Sequence, residues 1–368
     1  MTRILIRCDA SYLIGSGHVM RCRTLARDLQ RRGAEVCFIC RRQPGDLIHL
    51  LQREFAVLAL PNQPLVSCEG SQGRELYLSW LGCTQAQDAS HCLEVLANAG
   101  INSSTWVVVD HYSLDARWEE QLLAGLSRGL AAPKLLVIDD LADRTHVSDL
   151  ILDQNFFGKA TSQRYLDLVP SKCCHLLGPH YALLGPEYFY LHPLVPPRSE
   201  LRRVLVFFGG VDQDNLCGLA LEALMDPLLT DIAVDVVLGP QSPHRLAIEK
   251  LSACRDHTTL YGPLPSLAGL IARADLAIGA GGSTTWERIC LGLHSLVVAT
   301  ADNQLPSAIA LDQAGYIQLL GDVRSMSANL FYSSVLKFIR SPLPQPYDDA
   351  LVDGRGTSLL TDFLLLDK

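Results

Sequence analysis

The sequence lacks any apolar run close to the length that crosses a membrane, about 20 consecutive apolar residues. It also lacks excess positive charge, since 31 Lys and Arg stand against 39 Asp and Glu, a net charge of −8. This balance argues against nucleic acid or an anionic membrane as partner, although a local basic patch can still hold phosphate. Low-complexity segments and short repeats are absent too. Because residues 1–7 lead directly into an apolar strand pattern, we expect no signal peptide and a cytoplasmic protein. We also expect a monomer.

Cysteine is present, with twelve residues, but its spacing does not suit a metal site. Cys37 and Cys40 form a CxxC inside an apolar segment typical of a buried strand, where side chains three apart point to opposite faces. A zinc site also needs a second ligand pair, and none follows. The Cys173–Cys174 pair fits packing better than ligation. We predict that most cysteines are reduced core residues, and that the protein uses neither a metal nor a cofactor.

Length and periodicity indicate two α/β domains. The 368 residues are long for one hydrophobic core, and 48% of them are hydrophobic. Short continuous apolar runs, typical of buried parallel strands, alternate with amphipathic helix patterns. In the first half we predict strands at 4–8, 35–40, 106–110, 134–140 and 150–153, and helices at 18–32 and 118–129. Acidic residues end three of these strands, where ligands of parallel sheets gather.

A Pro-rich stretch at residues 192–199 breaks the periodicity and is predicted to be the linker. Beyond it we predict strands at 203–208, 232–238, 276–280 and 296–299, and helices at 216–225 and 267–274. The predicted domains are 1–195 and 200–345. A final segment, 346–368, is expected to return to the first domain after the prolines between 342 and 346. The fold class is α/β, with two Rossmann-like doubly wound domains facing across a cleft, the glycosyltransferase-B type.

The segment 276–287 carries the strongest functional signal. A short apolar strand leads into the turn Gly281-Gly282-Ser283-Thr284-Thr285 and then into a helix that opens on Trp286 and Glu287. Such a turn exposes backbone N–H groups at the positive end of a helix dipole, which suits phosphate oxygens. Glu287, one turn into the helix, is placed to accept the two hydroxyls of a ribose. An ordinary capped helix is the alternative. The pattern matches neither GxGxxG nor GxxxxGK[ST], so neither a dinucleotide fold nor a P-loop is indicated.

A second cluster follows the first strand, where Gly15-Ser-Gly17 precedes His18 at a predicted helix start. A helix N-terminus disfavours imidazolium, and neutral imidazole is the form that a general base requires. His18 is therefore the candidate catalytic base, with a capping or structural histidine as the alternative. Arg21, one turn later, is either a phosphate ligand or a surface cation.

Further polar residues end the next strands. Asp110 and Asp153 are candidates to orient His18 or to hold sugar hydroxyls, and Tyr112 lies beside the first of them. Asn155 offers a donor and an acceptor, which suits an acetamido group or a ring hydroxyl. Asp139 and Asp140 could equally satisfy nearby backbone N–H groups. No DxD doublet flanks the glycine turn, which disfavours metal-dependent chemistry.

Taken together, these motifs resemble one family. The residues that carry the resemblance are Gly15-Ser-Gly-His18 with Arg21-Cys22, Asp110-His-Tyr112, Ile138-Asp-Asp-Leu-Ala142, Leu152-Asp-Gln-Asn155, Leu177-Gly-Pro-His-Tyr-Ala-Leu-Leu184, Phe208-Gly-Gly210, Gly279-Ala-Gly-Gly-Ser-Thr-Thr-Trp-Glu287 and Asp302-Asn303-Gln304. In this order and spacing they are similar to the UDP-2,4-diacetamido-2,4,6-trideoxy-β-L-altropyranose hydrolases of pseudaminic acid biosynthesis. The resemblance runs from about residue 3 to residue 315. Gly185 and His294 depart from the family pattern.

The resemblance implies a MurG-like fold and metal-free hydrolysis of a UDP-sugar with inversion at the anomeric carbon. By matching motifs, His18 is the base, Glu287 the ribose ligand and 281–285 the diphosphate loop. Substrate contacts are expected from Gly17, Arg21, Asp110, Tyr112, Asn155, Gly210, Asn303 and Gln304. Three rival functions are a MurG-like glycosyltransferase, a hydrolysing UDP-sugar 2-epimerase and a non-catalytic nucleotide-sugar sensor.

Overall fold

The computed structural model describes residues 2–62, 73–127, 132–239, 242–341 and 351–366. The chain divides into two compact units. The first unit takes the described residues of 1–155, 159–183 and 356–368, and the second those of 156–158 and 184–355. The prolines between 342 and 346 lie outside the described residues. Within the described ranges, no helix is both long and apolar enough to span a bilayer.

The first unit is built on a parallel sheet of seven strands in the order β3-β2-β1-β4-β5-β6-β7. The strands are β1 (Arg3–Cys8), β2 (Glu35–Arg41), β3 (Ala56–Leu60), β4 (Trp106–Asp110), β5 (Lys134–Ile138), β6 (Leu150–Asp153) and β7 (Cys174–Leu177). The helices are α1 (Gly17–Arg31), α2 (Ile48–Leu51), α3 (Gly73–Ser79), α4 (Gln85–Asn98), α5 (Ala116–Leu126) and, from the end of the chain, α13 (Gly356–Leu366).

Alternation along the strands places a core on each face of this sheet. Ile4 and Ile6 of β1 pack with α1, α2 and α13, whereas Leu5 between them packs with α4 and α5. Cys40 belongs to the first of these cores and Cys37 to the second, as the strand interpretation of the CxxC predicted. With helices on both faces the unit is doubly wound. The cysteines within the described residues are free thiols.

The second unit has a parallel sheet of six strands in the order β10-β9-β8-β11-β12-β13. Its strands are β8 (Arg203–Phe207), β9 (Ala233–Val237), β10 (Thr258–Tyr261), β11 (Leu276–Ala280), β12 (Ser295–Ala299) and β13 (Gln318–Asp322). Its helices are α6 (Pro186–Leu191), α7 (Leu216–Leu224), α8 (Arg245–Ala253), α9 (Ala268–Arg273), α10 (Thr284–Cys290), α11 (Leu305–Gln313) and α12 (Ala328–Ile339). One core joins α7 and α12 to the sheet.

Two segments near the unit boundaries are held by long side chains. Arg198, in the Pro-rich stretch, donates to the carbonyls of Ala274 (2.6 Å) and Leu291 (2.7 Å) and so ties this stretch to the second unit. At the end of the chain, α13 packs on α1 within the first unit. Arg32, just beyond α1, contacts Asp362 of α13 at 2.5 Å.

Most predicted strands appear within one or two residues of their predicted bounds, and two bounds differ informatively. The strand predicted at 134–140 ends at Ile138, which leaves Asp139 and Asp140 on the loop beyond it. The helix after the glycine turn begins at Thr284, before the predicted Trp286. Several observed elements had no predicted counterpart: strands β3, β7, β10 and β13, and helices α2, α3, α4, α6, α8, α11 and α12. The helix predicted at 118–129 is α5, and residues 128 and 129 lie outside the described ranges.

Candidate active site

Each sheet contains one place where the strand order reverses, and the predicted site residues gather at those two places. In the first unit, chain connections run outward in opposite directions from β1 and β4, which pair with Cys8 opposite Asp110. In the second unit the corresponding pair is β8 and β11, with Phe207 opposite Gly279. Ligands of open α/β sheets bind beyond the carboxyl ends of the strands at such switch points.

At the first switch point His18 and Asp110 are in direct contact. His18 lies in the first turn of α1, and its Nδ1 is 2.5 Å from Asp110 Oδ1 at the end of β4. Burial alone would raise the pKa of Asp110, but the Arg21 guanidinium and the His18 ring hold it well below its usual range. Because the ionised carboxylate can only accept, the neutral tautomer that it selects has its proton on Nδ1 and its lone pair on Nε2. The arrangement therefore orients His18 as an acceptor through Nε2.

Arg21 connects this pair to a second carboxylate. Its guanidinium donates to both oxygens of Asp110 at 2.7 Å and to Asp140 at 3.0 Å. Tyr112 donates its hydroxyl to Asp140 at 2.5 Å. Since Arg21 is buried, it is not the surface cation that the sequence left open. The bidentate pairing fixes the orientation of the Asp110 carboxylate, and Arg21 Nη2 and His18 Nδ1 share its Oδ1.

Asn155 and Asp153 extend the same network. Asn155 Nδ2 donates to Asp140 (2.7 Å) and Asp153 (2.9 Å), so its two amide hydrogens already have partners and its Oδ1 is the group left for a ligand. Burial raises the pKa of Asp153 to about 7, with a further rise from Asp140 and an opposing effect of Arg164. Asp139 accepts from the backbone N–H of Ala142 and pairs with Arg144. Asp139 therefore satisfies a nearby backbone group, as one of the two interpretations of the sequence predicted.

An aromatic cluster borders His18. The His18 imidazole meets the Tyr112 ring edge-on, with ring centroids 4.5 Å apart, and its centroid lies 6.2 Å from that of Trp80. Trp80 stacks on Tyr112 at 5.5 Å, and Tyr77 packs against both rings. Neither Tyr77 nor Trp80 was predicted from the sequence. Tyr77 is on α3 and Trp80 follows that helix, and no motif marks either residue. Gly17, also predicted at the site, is exposed at the start of α1.

At the second switch point the glycine turn leads into α10. A Cβ on Gly281 would come within 3.3 Å of Gln304 Oε1, so the turn passes close to the short helical segment that carries Asn303 and Gln304. Gln304 in turn accepts from the backbone of Thr300. Ser283 is exposed, whereas Thr285 is buried with its hydroxyl beside Ala280 O and Arg288. Thr285 therefore braces the turn from inside.

The two helix starts near this switch point differ. Asp212 accepts from the N–H groups of Leu216 (2.9 Å) and Cys217 (3.0 Å), so a carboxylate already occupies the start of α7. Ser283 makes no side-chain cap at α10. Gly210, between β8 and Asp212, lies with its backbone against Gly239, where a side chain at 239 would collide.

Glu287, the predicted ribose ligand, accepts a hydrogen bond from Tyr188 Oη at 2.6 Å. Burial raises the pKa of Glu287 to about 7, opposed by the Tyr188 hydrogen bond and by the charge of Arg288. Tyr188 is on α6, 99 residues away in the chain, and no local pattern marks it. Tyr188 was therefore not predicted as a site residue.

Arg288 was also missed, although it follows Glu287 directly. It is buried and donates through Nη2 to Ala280 O (2.8 Å) and Thr285 Oγ1 (3.0 Å), the two ends of the glycine turn. A Cβ on Gly279 would meet Arg288 Nη1 at 2.6 Å, so this glycine makes room for the guanidinium. A positive charge is thus fixed beneath the turn. Its spacing of three residues from Thr285 on a helix is a signal that could have been found.

Comparison with known proteins agrees with the motif resemblance. A protein of Campylobacter jejuni named UDP-2,4-diacetamido-2,4,6-trideoxy-beta-L-altropyranose hydrolase is 23% identical over 314 residues, 85% of this chain and 97% of that protein. The spore coat polysaccharide biosynthesis protein SpsG of Bacillus subtilis is 30% identical over 193 residues, 49% of this chain. The chain spans 57% of that protein's length and 55% of an uncharacterised relative in Methanocaldococcus jannaschii. No family model matches the chain.

Solved structures give the fold. MurG of Acinetobacter baumannii aligns with a TM-score of 0.57 and 14% identity, covering 99% of both chains. A UDP-GlcNAc 2-epimerase of Neisseria meningitidis, bound to UDP-GlcNAc, aligns with a TM-score of 0.60 and 14% identity over the whole of both chains. The chain therefore has a glycosyltransferase-B-type α/β fold with two parallel sheets, and it is similar over most of its length to the UDP-diacetamido-trideoxy-altropyranose hydrolase that its motifs predicted.

Proposed function

We propose that the chain hydrolyses a UDP-linked 2,4-diacetamido-2,4,6-trideoxyhexose to UDP and the free sugar, as a step of nonulosonic (pseudaminic) acid biosynthesis. The observation that carries the proposal is the contact between His18 and Asp110 at a switch point, which in the neutral ring directs the Nε2 lone pair of His18 to act as the proton acceptor. A protein that only bound a nucleotide sugar would have no need of a buried acid that orients a histidine.

The proposed step is one displacement by water. The water oxygen forms a bond to the anomeric carbon, the bond from that carbon to the β-phosphate oxygen breaks, and UDP leaves with the electron pair. His18 Nε2 takes the proton from the water, and Asp110 stabilises the imidazolium that forms. Since the water enters opposite the leaving group, the configuration at the carbon inverts.

The nucleotide side of the reaction is assigned to the second unit. The backbone of the turn at 281–285 and the start of α10 face the diphosphate charge, and the Arg288 guanidinium adds a fixed positive charge from below. Glu287 accepts the ribose hydroxyls. Asn303 and Gln304, beside the turn, contact the nucleotide. UDP is a good leaving group already, so offsetting its charge and placing one water are the main tasks.

Relatives support the class of substrate. The Campylobacter jejuni relative carries the name of such a hydrolase, and proteins of the same fold have been solved with UDP, UDP-L-rhamnose and UDP-GlcNAc. The same fold also serves glycosyl transfer in MurG and epimerisation in UDP-GlcNAc 2-epimerase. The rival functions are therefore a UDP-sugar-dependent glycosyltransferase, a hydrolysing UDP-sugar 2-epimerase and a non-catalytic nucleotide-sugar binding protein.

The deciding experiment offers the purified chain its proposed substrate in water enriched in ¹⁸O, with no acceptor present. We expect release of UDP and of the free sugar, with no ¹⁸O in the UDP because water attacks carbon and not phosphorus. Proton NMR during the first turnovers gives the anomeric configuration of the product. A glycosyltransferase leaves the substrate largely intact without an acceptor, an epimerase yields a different sugar, and a binding protein yields no product.

A further inference from the structure

Two buried polar atoms beside the aromatic cluster have no hydrogen-bond partner among the described residues: Nε1 of Trp80 and Oε1 of Gln43. Trp80 is 7% exposed and Gln43 is 6% exposed. Leaving a buried donor or acceptor without a partner is destabilising, so such atoms call for an explanation.

The two residues are joined to each other. Gln43 Nε2 donates to the backbone oxygen of Trp80 at 2.8 Å. Because a carbonyl only accepts, the amide nitrogen of Gln43 must face it, which fixes Oε1 as the atom that is left over. One N–H donor and one C=O acceptor therefore remain on two residues in contact.

Both residues belong to the surroundings of His18. The Trp80 ring lies 6.2 Å from the His18 ring and stacks on Tyr112. Gln43 follows β2, the neighbour of β1, at the carboxyl edge of the sheet. Helix α1, with His18 in its first turn, begins at the same edge. Trp106 provides a contrast. Within the described part of the chain its Nε1 also has no partner and no such companion, but Trp106 starts β4, at the opposite edge of the sheet. The Trp80–Gln43 pair differs from a single unpaired indole because it combines a donor and an acceptor beside His18.

We infer that Trp80 and Gln43 form the subsite for an acetamido group of the sugar. A secondary amide carries one C=O and one N–H, the complement of the two atoms left over. Trp80 Nε1 donates to the acetamido oxygen, and Gln43 Oε1 accepts from the acetamido nitrogen. The buried rings of Tyr77, Trp80 and Tyr112 are the apolar neighbours of the methyl group. Asn155 is less suited to this task because its amide hydrogens are bonded to Asp140 and Asp153.

This inference rests on the proposed function and adds to it the residues that select the substrate. Neither a hydroxyl nor a free amine reproduces both hydrogen bonds, so the chain should discriminate against sugars that lack the acetamido group. Sites that hydrogen-bond a substrate group reject analogues lacking it, because the buried atoms are then left unpaired.

The test compares UDP-2,4-diacetamido-2,4,6-trideoxyhexose with two analogues, each carrying a hydroxyl in place of one acetamido group. In the wild type one analogue should lose about tenfold or more in kcat/KM, the worth of two neutral hydrogen bonds. Trp80→Phe keeps the aromatic face and removes the donor, and Gln43→Met removes the acceptor. Each should lower kcat/KM for the full substrate and leave that analogue nearly unchanged, so the selectivity falls several-fold.

Trp106→Phe is the matched control, since it removes an unpaired indole N–H elsewhere in the same unit, and it should keep wild-type selectivity. UDP affinity should be equal in all four proteins. Unchanged selectivity in both Trp80→Phe and Gln43→Met would mean that the two atoms bind a structural water, and would overturn the inference. If the wild type hydrolyses none of the three compounds, the proposed function fails; the affinities of the same compounds, measured by calorimetry, still test the subsite.

Discussion

The two switch points share a topology and differ in chemistry. In both sheets the order reverses beside the first strand of the unit, and loops from adjacent strands meet there. The first is built from side chains that carry charge and protons, with His18, Arg21 and Asp110 joined in one buried network. The second is built largely from glycine backbone, with Glu287 and Arg288 as its nearby charged groups.

The difference separates two tasks that one fold can divide between its halves. A network of paired charges holds a titratable group in one orientation, which proton transfer requires. A glycine turn at an uncapped helix start presents backbone donors to a polyanion without placing side chains in the way. The occupied start of α7, where Asp212 takes the N–H groups, shows that the second unit does not leave every helix start available. Mutations at the two switch points should therefore have separable effects.

The largest expected effect comes from His18→Asn. Asparagine keeps hydrogen-bonding capacity but cannot accept a proton near neutral pH, so kcat should fall by about 10²–10⁴-fold, the usual worth of general base catalysis. UDP affinity should stay within a few-fold of wild type, because the nucleotide is assigned to the other unit. Steady-state kinetics and calorimetry measure the two. His49→Asn, at an exposed position on α2, is the control and should change neither. Near wild-type turnover in His18→Asn would remove His18 from the mechanism and make Asp110 or Asp153 the next candidate base.

Glu287→Ala should produce the converse result. Loss of charge-assisted hydrogen bonds to the ribose, worth about 1.5–3 kcal/mol, should raise the UDP dissociation constant by roughly 10- to 100-fold. The variant's kcat at saturating substrate should change much less than in His18→Asn. Glu222→Ala, an exposed acid on α7 of the same unit, controls for the loss of one negative charge. Unchanged UDP affinity measured by calorimetry would reject the ribose assignment.

These contrasts also mark what the sequence could and could not predict. Strands β1, β4 and β11 and the helix at His18 were predictable because continuous apolar runs and a Gly-x-Gly turn are local signals. The sequence also placed Asp110 at a strand end and His18 at the start of the helix after the first strand, and parallel topology then brings both to one edge of the sheet. Their direct contact could not be derived, because it depends on the pairing of β1 with β4, which leaves no local trace.

The unpredicted residues are of two kinds. Tyr188 and Gln43 act through contacts with residues distant in the chain or through the conformation of a loop, so no periodicity marks them. Helix α4 was missed although Thr84 and Gln87 form a capping box, a signal visible in the sequence. Asp88 of that helix is buried against Arg7 and Arg41, and such a charge inside a helix face obscures the amphipathic pattern.

Arg288→Met tests whether the second switch point depends on charge as well as backbone. The change removes the donor that joins Ala280 O to Thr285 Oγ1 and removes a positive charge beneath the turn, so UDP affinity should fall about three- to tenfold. Arg288→Lys keeps the positive charge but loses the branched guanidinium, so its UDP affinity should lie between those of Arg288→Met and the wild type. Lys337→Met, which removes an exposed positive charge on α12, should bind UDP like the wild type. Equal affinities in Arg288→Met and the wild type would leave the backbone as the whole of the phosphate site.

The smallest expected effect is that of Tyr188→Phe on the pH dependence of UDP affinity. The carboxylate is the form that accepts two ribose hydroxyls, and its pKa is raised to about 7, so UDP affinity should increase as pH rises through about 7. The Tyr188 hydrogen bond lowers that pKa, so Tyr188→Phe should move the increase to higher pH, with affinity a few-fold weaker at pH 7 and equal to wild type at high pH. Glu287→Gln supplies the baseline, since it retains only the ionisation of UDP itself. Tighter UDP binding in Tyr188→Phe at pH 7 would show instead that the tyrosine competes with the ribose for Glu287, and a loss of affinity that is the same at every pH would assign Tyr188 a structural role.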